Sequence, residues 1–148
     1  MSSQHTAFVG AVPENYDLYL RPLLFEPYAV DIAERVKVSD HALVLETACG
    51  TGIVSRHLRE RLPKGARLVA TDLNEAMLEY ASRKFGVNSA IEFKQADATS
   101  LPFADASFEA VVCQFGFMFF PDKLAAMREA HRVLVPGGKL IFSVWDSI

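Results

Sequence analysis

Leu43-Val44-Leu45-Glu46-Thr47-Ala48-Cys49-Gly50-Thr51-Gly52-Ile53-Val54 is the stretch whose reading decides the fold of this chain. A short apolar run closes on an acid, crosses a bend of small residues and re-enters an apolar pattern. That order predicts a strand, a tight turn and the first turn of a helix, with Thr51 as the cap. Gly50 and Gly52 carry no Cβ and reach positive φ freely, so a ligand can come close to the backbone here. A dinucleotide would ask for G-x-G-x-x-G and a helix N-terminus aimed at its pyrophosphate. The spacing found is A-x-G-x-G, and Glu46 closes the strand beside the same crevice. A carboxylate there repels phosphate and attracts an ammonium, so the expected ligand carries positive charge and no phosphate. The plainer alternative is a loop whose glycines only permit a sharp turn.

The stretch resembles motif I of the class I S-adenosylmethionine-dependent methyltransferases, acid-x-G-x-G-x-G at the end of the first strand. Glu46, Gly50 and Gly52 match it, and Ala48 stands at the first glycine, where its methyl group narrows the turn. The resemblance implies an α/β, Rossmann-like doubly wound sheet of about five mainly parallel strands. It also implies S-adenosylmethionine as cofactor, S-adenosylhomocysteine as product, and Glu46, Ala48, Gly50 and Gly52 at the cofactor.

Downstream, Ile53, Val54, Leu58 and Leu62 predict a helix with Arg56, Arg59, Glu60 and Arg61 outward, closed by Pro63-Lys64-Gly65. Arg67 to Asp72 is a second apolar run ending in an acid, about twenty residues past the glycines, where such folds place a carboxylate on a ribose diol. An ionised carboxylate accepts two hydrogen bonds at once, which suits a vicinal diol. The alternative for Asp72 is a helix cap or a surface acid. Asn74 caps a helix through Phe85, and Leu73 and Met77 at its start fall where an adenine ring would lie if Asp72 holds the ribose. Ala90 to Asp97 alternates apolar and charged residues like a strand near an edge. The sequence Asp97-Ala98-Thr99 resembles the next family motif, in which the acid meets the exocyclic amine of adenine. Acids thus end three successive strands at Glu46, Asp72 and Asp97.

Phe108 to Phe115 is almost wholly apolar and predicts a central strand covered on both faces. Gln114 and the aromatic run from Phe115 to Phe120 follow, too apolar to be left in water. In the resembling family this loop borders the methionine part of the cofactor and the acceptor pocket, so Gln114 joins the cofactor-binding set. The other reading of the run is a core loop. Pro121-Asp122 opens a helix with Leu124, Met127, His131 and Leu134 on one side, ended by Pro136-Gly137-Gly138, and Lys139 to Trp145 is a fifth strand. Before the first strand, residues 1–38 predict a helical cap, and residues 39–148 the cofactor-binding domain of a single compact unit. The cap has helical spacing from Val12, broken at Pro22 and Pro27, and a helix from Tyr28 to Val36 with Ala29, Ile32, Ala33 and Val36 on one face. Family members carry a Tyr-Asp pair like Tyr16-Asp17 in such helices, folded over the cofactor; Tyr16 is either that contact or a packing residue.

The 148 residues, 51% hydrophobic, suit one globular domain, and a net charge of −3 argues against a broad nucleic-acid surface. Cys49 and Cys113 stand in no metal-ligand spacing, and His5, His41, His57 and His131 are scattered, so no metal is expected. No signal peptide or membrane-spanning run is seen, which makes a reducing cytoplasm the expected compartment. Members of the resembling family continue through two more strands, which are not expected here. The fifth strand of this chain is therefore an apolar edge, left by a shortened form or covered by a second copy in a homo-oligomer.

A sulfonium donor is already activated, so methyl transfer asks for an in-line acceptor and exclusion of water, and no catalytic residue is nominated. The reading is a methyltransferase acting on a small-molecule acceptor, in the manner of the quinone-biosynthesis-type enzymes of the resembling family. Two rivals stand beside it. One is a nicotinamide dinucleotide oxidoreductase, whose third glycine falls on Ile53; the other is a non-catalytic cofactor-binding or assembly module.

Overall fold

A computed structural model of the chain describes residues 25–86 and 89–144. The elements run α1 (Glu26–Glu34), β1 (Leu43–Glu46), α2 (Ile53–Arg61), β2 (Arg67–Asp72), α3 (Glu75–Phe85), β3 (Ile91–Gln95), β4 (Phe108–Gln114), a 3-10 turn (Phe117–Phe119), α4 (Lys123–Val133) and β5 (Leu134–Ser143). The five strands form one sheet in the order β3-β2-β1-β4-β5, and every neighbouring pair is parallel. This is the α/β doubly wound arrangement that the sequence predicts. The chain winds outward from β1 to β3, then crosses back to β4 and winds the other way. The reversal falls between β1 and β4, and a crevice outside the carboxyl ends of the strands belongs at such a point.

Alternation along each strand sorts the side chains onto two faces. Val44, Leu68, Ala110 and Val112 pack with Ala29, Ile32 and Ala33 of α1 and with Ile53, Val54 and Leu58 of α2. Leu45, Val69, Phe108 and Val111 face the opposite way, against Leu101, Ala130 and Val133. β4 is central and buried along most of its length, as predicted, and β3 lies at an edge.

The structure revises some boundaries. α4 buries Ala126, Ala130 and Val133, whereas Leu124, Met127 and His131, which share one side of the predicted helix, are exposed. The two alanines allow the helix to lie close to the sheet, which outweighs the larger apolar stripe. Pro136-Gly137-Gly138 does not separate helix from strand. β5 starts at Leu134, opposite Phe108, and the register then jumps so that Lys139 lies opposite Ala110. The Pro-Gly-Gly segment is a bulge inside the strand, with Gly137 at φ +82°. Thr51 does not cap α2: Gly52, left-handed at φ 89°, takes that place and no side chain caps the helix. Asn74 does cap α3, accepting from the Met77 amide at 3.2 Å, and Asp122 caps α4. Trp145 of the predicted fifth strand and the cap segment up to Leu24, Tyr16 included, lie outside the described residues.

Candidate functional site

The turn after β1 is held open by its own backbone. Ala48, Gly50 and Gly52 all have positive φ, at 54°, 56° and 89°. For Ala48 this is costly for an L residue, and its methyl needs room. The room comes from Gly116, beyond the end of β4: a Cβ at Gly116 would lie 2.6 Å from the Ala48 methyl and 2.6 Å from Cys113 Sγ. The alanine that replaces the family glycine is thus matched by a missing side chain across the crevice.

The two motif glycines have different tasks. A Cβ at Gly50 would meet nothing within 4 Å, so the space over this residue is open. A Cβ at Gly52 would come within 2.7 Å of the Phe85 ring, so Gly52 lets α3 pack against the start of α2. Open approach for a ligand is a property of Gly50, and close packing within the fold a property of Gly52.

Asp72 ends β2 and reaches across to the turn. Its Oδ2 accepts from the Gly50 amide at 2.9 Å and its Oδ1 from the Asn74 amide at 2.9 Å. The carboxylate is half-buried at the end of the strand. Leu73 beside it is 45% exposed, whereas the Met77 side chain is only 8% exposed and belongs largely to the interior. Asp97 lies two residues past β3; its Oδ1 accepts from the amide and hydroxyl of Thr99, and Ala98 is half-buried between them. With β1, β2 and β3 adjacent and parallel, Glu46, Asp72 and Asp97 lie along one carboxyl-end rim.

Glu46 departs from the expectation placed on it. Its side chain is 1% exposed beneath the turn and accepts a hydrogen bond from Ser55 of α2 at 2.5 Å. Burial, together with the negative Asp72 nearby, pushes its carboxyl up to about 8 despite the Ser55 bond. Burial thus disfavours its charged form, and in this arrangement the carboxyl faces Ser55 beneath the turn rather than the open crevice. Its role in the fold is to pin α2 to β1, while the Thr71 hydroxyl donates to its carbonyl oxygen at 3.0 Å. Ser55 was not singled out from the sequence, although a serine within the buried stripe Ile53, Val54 and Leu58 is the trace such a contact leaves.

At the other side of the crevice, Gln114 ends β4 and is paired in register with Ser143 of β5. Phe115 follows with left-handed backbone, φ 59°, and its ring meets Tyr28 at 5.5 Å and Phe25 at 6.2 Å between centroids. The aromatic run divides. Phe115 and Phe117 are buried, and Phe117 packs with Cys113 and Ala126, so part of the run is core; Phe119 is 53% exposed. Burial pushes both thiols up, Cys113 to about 11, so neither supplies a thiolate nucleophile near neutral pH. His57 is buried between Glu26 and Arg61, and His41 and His131 are exposed. Among the described residues no group of three or more His, Cys, Asp or Glu is placed to hold a metal ion, and no helix is long and apolar enough to cross a membrane.

A parallel sheet with an open glycine turn and a strand-end acid bonded to it fits several cofactors, and comparison with known proteins decides between them. Residues 45–142 match the family described as methyltransferase domain. The chain belongs to that family. Relatives include the demethylmenaquinone methyltransferase of Deinococcus radiodurans, 38% identical over 139 residues, covering 89% of this chain and 56% of the relative. The demethylmenaquinone methyltransferase of Thermus thermophilus is 39% identical over 137 residues, covering 88% of this chain and 60% of the relative. This methyltransferase-domain chain thus spans somewhat more than half the length of these curated relatives. Among solved structures, a SAM-dependent methyltransferase from Aquifex aeolicus superposes with a TM-score of 0.75 at 22% identity, over 90% of this chain and 71% of that one, a likeness that speaks for the fold.

Proposed function

We propose that this methyltransferase-family chain binds S-adenosylmethionine at the β1 turn and transfers its methyl group to a small aromatic acceptor of the quinone type. The observation that carries the reading is the pairing of Gly50 with Asp72: a turn residue beneath open space, bonded through its amide to the carboxylate that ends β2. A second observation supports the fit. Thr51 Oγ1 is buried in the same turn with no hydrogen-bond partner among the described residues, a costly arrangement unless a ligand supplies one.

In this reading Asp72 accepts from the ribose diol, Leu73 covers the adenine, and Asp97 and Ala98 meet its edge. Gly50 and Gly52, with Ala48, shape the turn over which the amino-acid portion passes. Met77 backs the adenine pocket from the interior, and Glu46 holds the turn through Ser55 in place of contacting the cofactor by charge. Tyr16 is proposed as a contact from the N-terminal cap, on the family resemblance alone. When bound, the cofactor supplies an activated methyl group on a sulfonium; the chain's residues orient it and keep water away. The relatives' name supports a quinone-like acceptor, and the rings of Phe115 and Tyr28 suit a flat one.

Calorimetric titration with S-adenosylmethionine, S-adenosylhomocysteine and NAD tests the cofactor. Binding of the first two and not NAD is expected, and binding of NAD alone would overturn the reading. Turnover with a demethylated hydroquinone then separates an enzyme from a module that only binds cofactor.

A further inference from the structure

β4 and β5 end side by side, with Gln114 and Ser143 as register partners. Residues paired across neighbouring strands point to the same face, and here that face is the one covered by α1, because Val112 and Ile141, two residues earlier, pack against it. Gln114 Oε1 and Ser143 Oγ are both buried and both lack a hydrogen-bond partner among the described residues. Thr71 and Ser55 on this rim bond to Glu46 and Asn74 bonds to the Met77 amide, whereas Thr51 Oγ1 in the β1 turn shares the pair's lack of a partner. Two adjacent buried polar atoms without partners are rare in a folded protein and ask for an explanation.

Their surroundings indicate one. The Phe115 amide donates to the Ser143 carbonyl at 2.8 Å, which ties the two strand ends together, and the left-handed Phe115 backbone accompanies a ring packed on Tyr28 and Phe25 of the α1 side. A cavity of about 510 Å³ lies alongside, between α1 and β5, lined by Tyr28, Ile32, Ile141, Phe142 and Ser143 among others. Ser143 lines this volume, which Asp31, Arg35 and Lys139 also border, and Gln114 is its register partner on β4 rather than part of the lining. In the strand order, β5 is three spacings from β2, about 14 Å at the usual interstrand distance. Asp72 is thus on one side of the crevice and the pair on the other.

We propose that Gln114 and Ser143 form a recognition pair for the hydroxyl oxygens of an aromatic acceptor, such as a hydroquinone or related phenol. Gln114 Oε1 accepts from one hydroxyl, and the Ser143 hydroxyl, free to turn, donates to or accepts from the same oxygen or its neighbour. The inference rests on the methyltransferase reading and makes the pair specificity-determining for the acceptor, moving Gln114 from the cofactor side of the crevice to the acceptor side.

The test compares wild type with Ser143→Ala and Gln114→Leu, using 1,4-dihydroxynaphthalene under anaerobic conditions and naphthalene as probes, with S-adenosylhomocysteine as cofactor control. Wild type is expected to bind the diol at least about tenfold more tightly than naphthalene, a preference that either substitution removes, since a site built for a hydroxyl discriminates against its absence. Affinity for S-adenosylhomocysteine should stay within about twofold, and the melting temperature of Ser143→Ala without ligand should hold or rise, because a hydroxyl with no partner is removed. A fall in melting temperature with the diol preference intact would make Ser143 structural and overturn the proposal. Loss of S-adenosylhomocysteine affinity with the diol preference intact would assign the pair to the cofactor and overturn it likewise. No binding of S-adenosylhomocysteine to wild type would sink the methyltransferase reading, whereas equal affinity for diol and naphthalene sinks the recognition pair alone.

Discussion

The backbone N–H of Gly50 donates to Oδ2 of Asp72 over 2.9 Å, joining the turn after β1 to the end of β2. A single carboxylate therefore sets the shape of the turn and faces the crevice. Asp72→Ala should weaken S-adenosylmethionine binding by about 1.5–3 kcal/mol, the range for hydrogen bonds to a charged group. That is roughly 10- to 150-fold in Kd. Calorimetry alongside circular dichroism checks it, and unchanged affinity with the fold intact would remove Asp72 from the site.

Gly50 and Gly52 should respond differently to a methyl group. Both pay for left-handed backbone, about 1–2 kcal/mol for an L residue. Only Gly52→Ala also drives a Cβ into the Phe85 ring, so its urea midpoint should fall further than that of Gly50→Ala. Gly50→Ala should instead keep its fold and lose S-adenosylhomocysteine affinity. Phe85→Leu should restore part of the stability lost in Gly52→Ala, and a lack of rescue would refute the packing role.

Ala48 and Gly116 form a complementary pair, and a double-mutant cycle measures it. Gly116→Ala places a methyl 2.6 Å from the Ala48 methyl and should destabilise the protein. In an Ala48→Gly background the cost should shrink by about 0.5–3 kcal/mol, the range for residues in contact, with the remaining clash against Cys113 setting the residue. Additive effects would show that the two do not share the space.

Glu46 gives stability a pH dependence. Its carboxyl ordinarily titrates at 4.5 and in the folded protein at about 8, so between those values the native state holds a proton that the unfolded chain releases. The contribution is fully present below the lower value and is lost as pH rises through the upper one, so stability from this group falls with rising pH. Glu46→Gln carries no titrating proton and retains an acceptor for Ser55. The melting temperature of wild type should decline relative to Glu46→Gln as pH is raised across this window. Parallel profiles would contradict the buried, protonated state.

Much of the architecture was legible because it depends on local pattern. The apolar runs at Leu43, Arg67 and Phe108 fall on strands, and Asn74 and Asp122 supply the helix caps expected of their side chains. Parallel strands put the acids at their carboxyl ends on one rim. What local pattern missed involves partners distant in the chain. Leu124 and Met127 make the larger apolar stripe on α4, yet the helix turns its alanines to the sheet, because contact distance and not residue hydrophobicity chose the face.

By itself the sequence determined the alternation of strands and helices, the glycine turn and the acids that end successive strands, since periodicity and turn chemistry are written within a few neighbouring residues, while the doubly wound order came from the family resemblance. Only tertiary structure decided that Gly52 serves packing while the space over Gly50 stays open, that Gly116 makes room for Ala48, and that Glu46 is buried against Ser55. It also set Gln114 beside Ser143. Each of these depends on which atoms from remote segments share a volume and on how much water remains around a charge, and neither is fixed until the sheet is assembled.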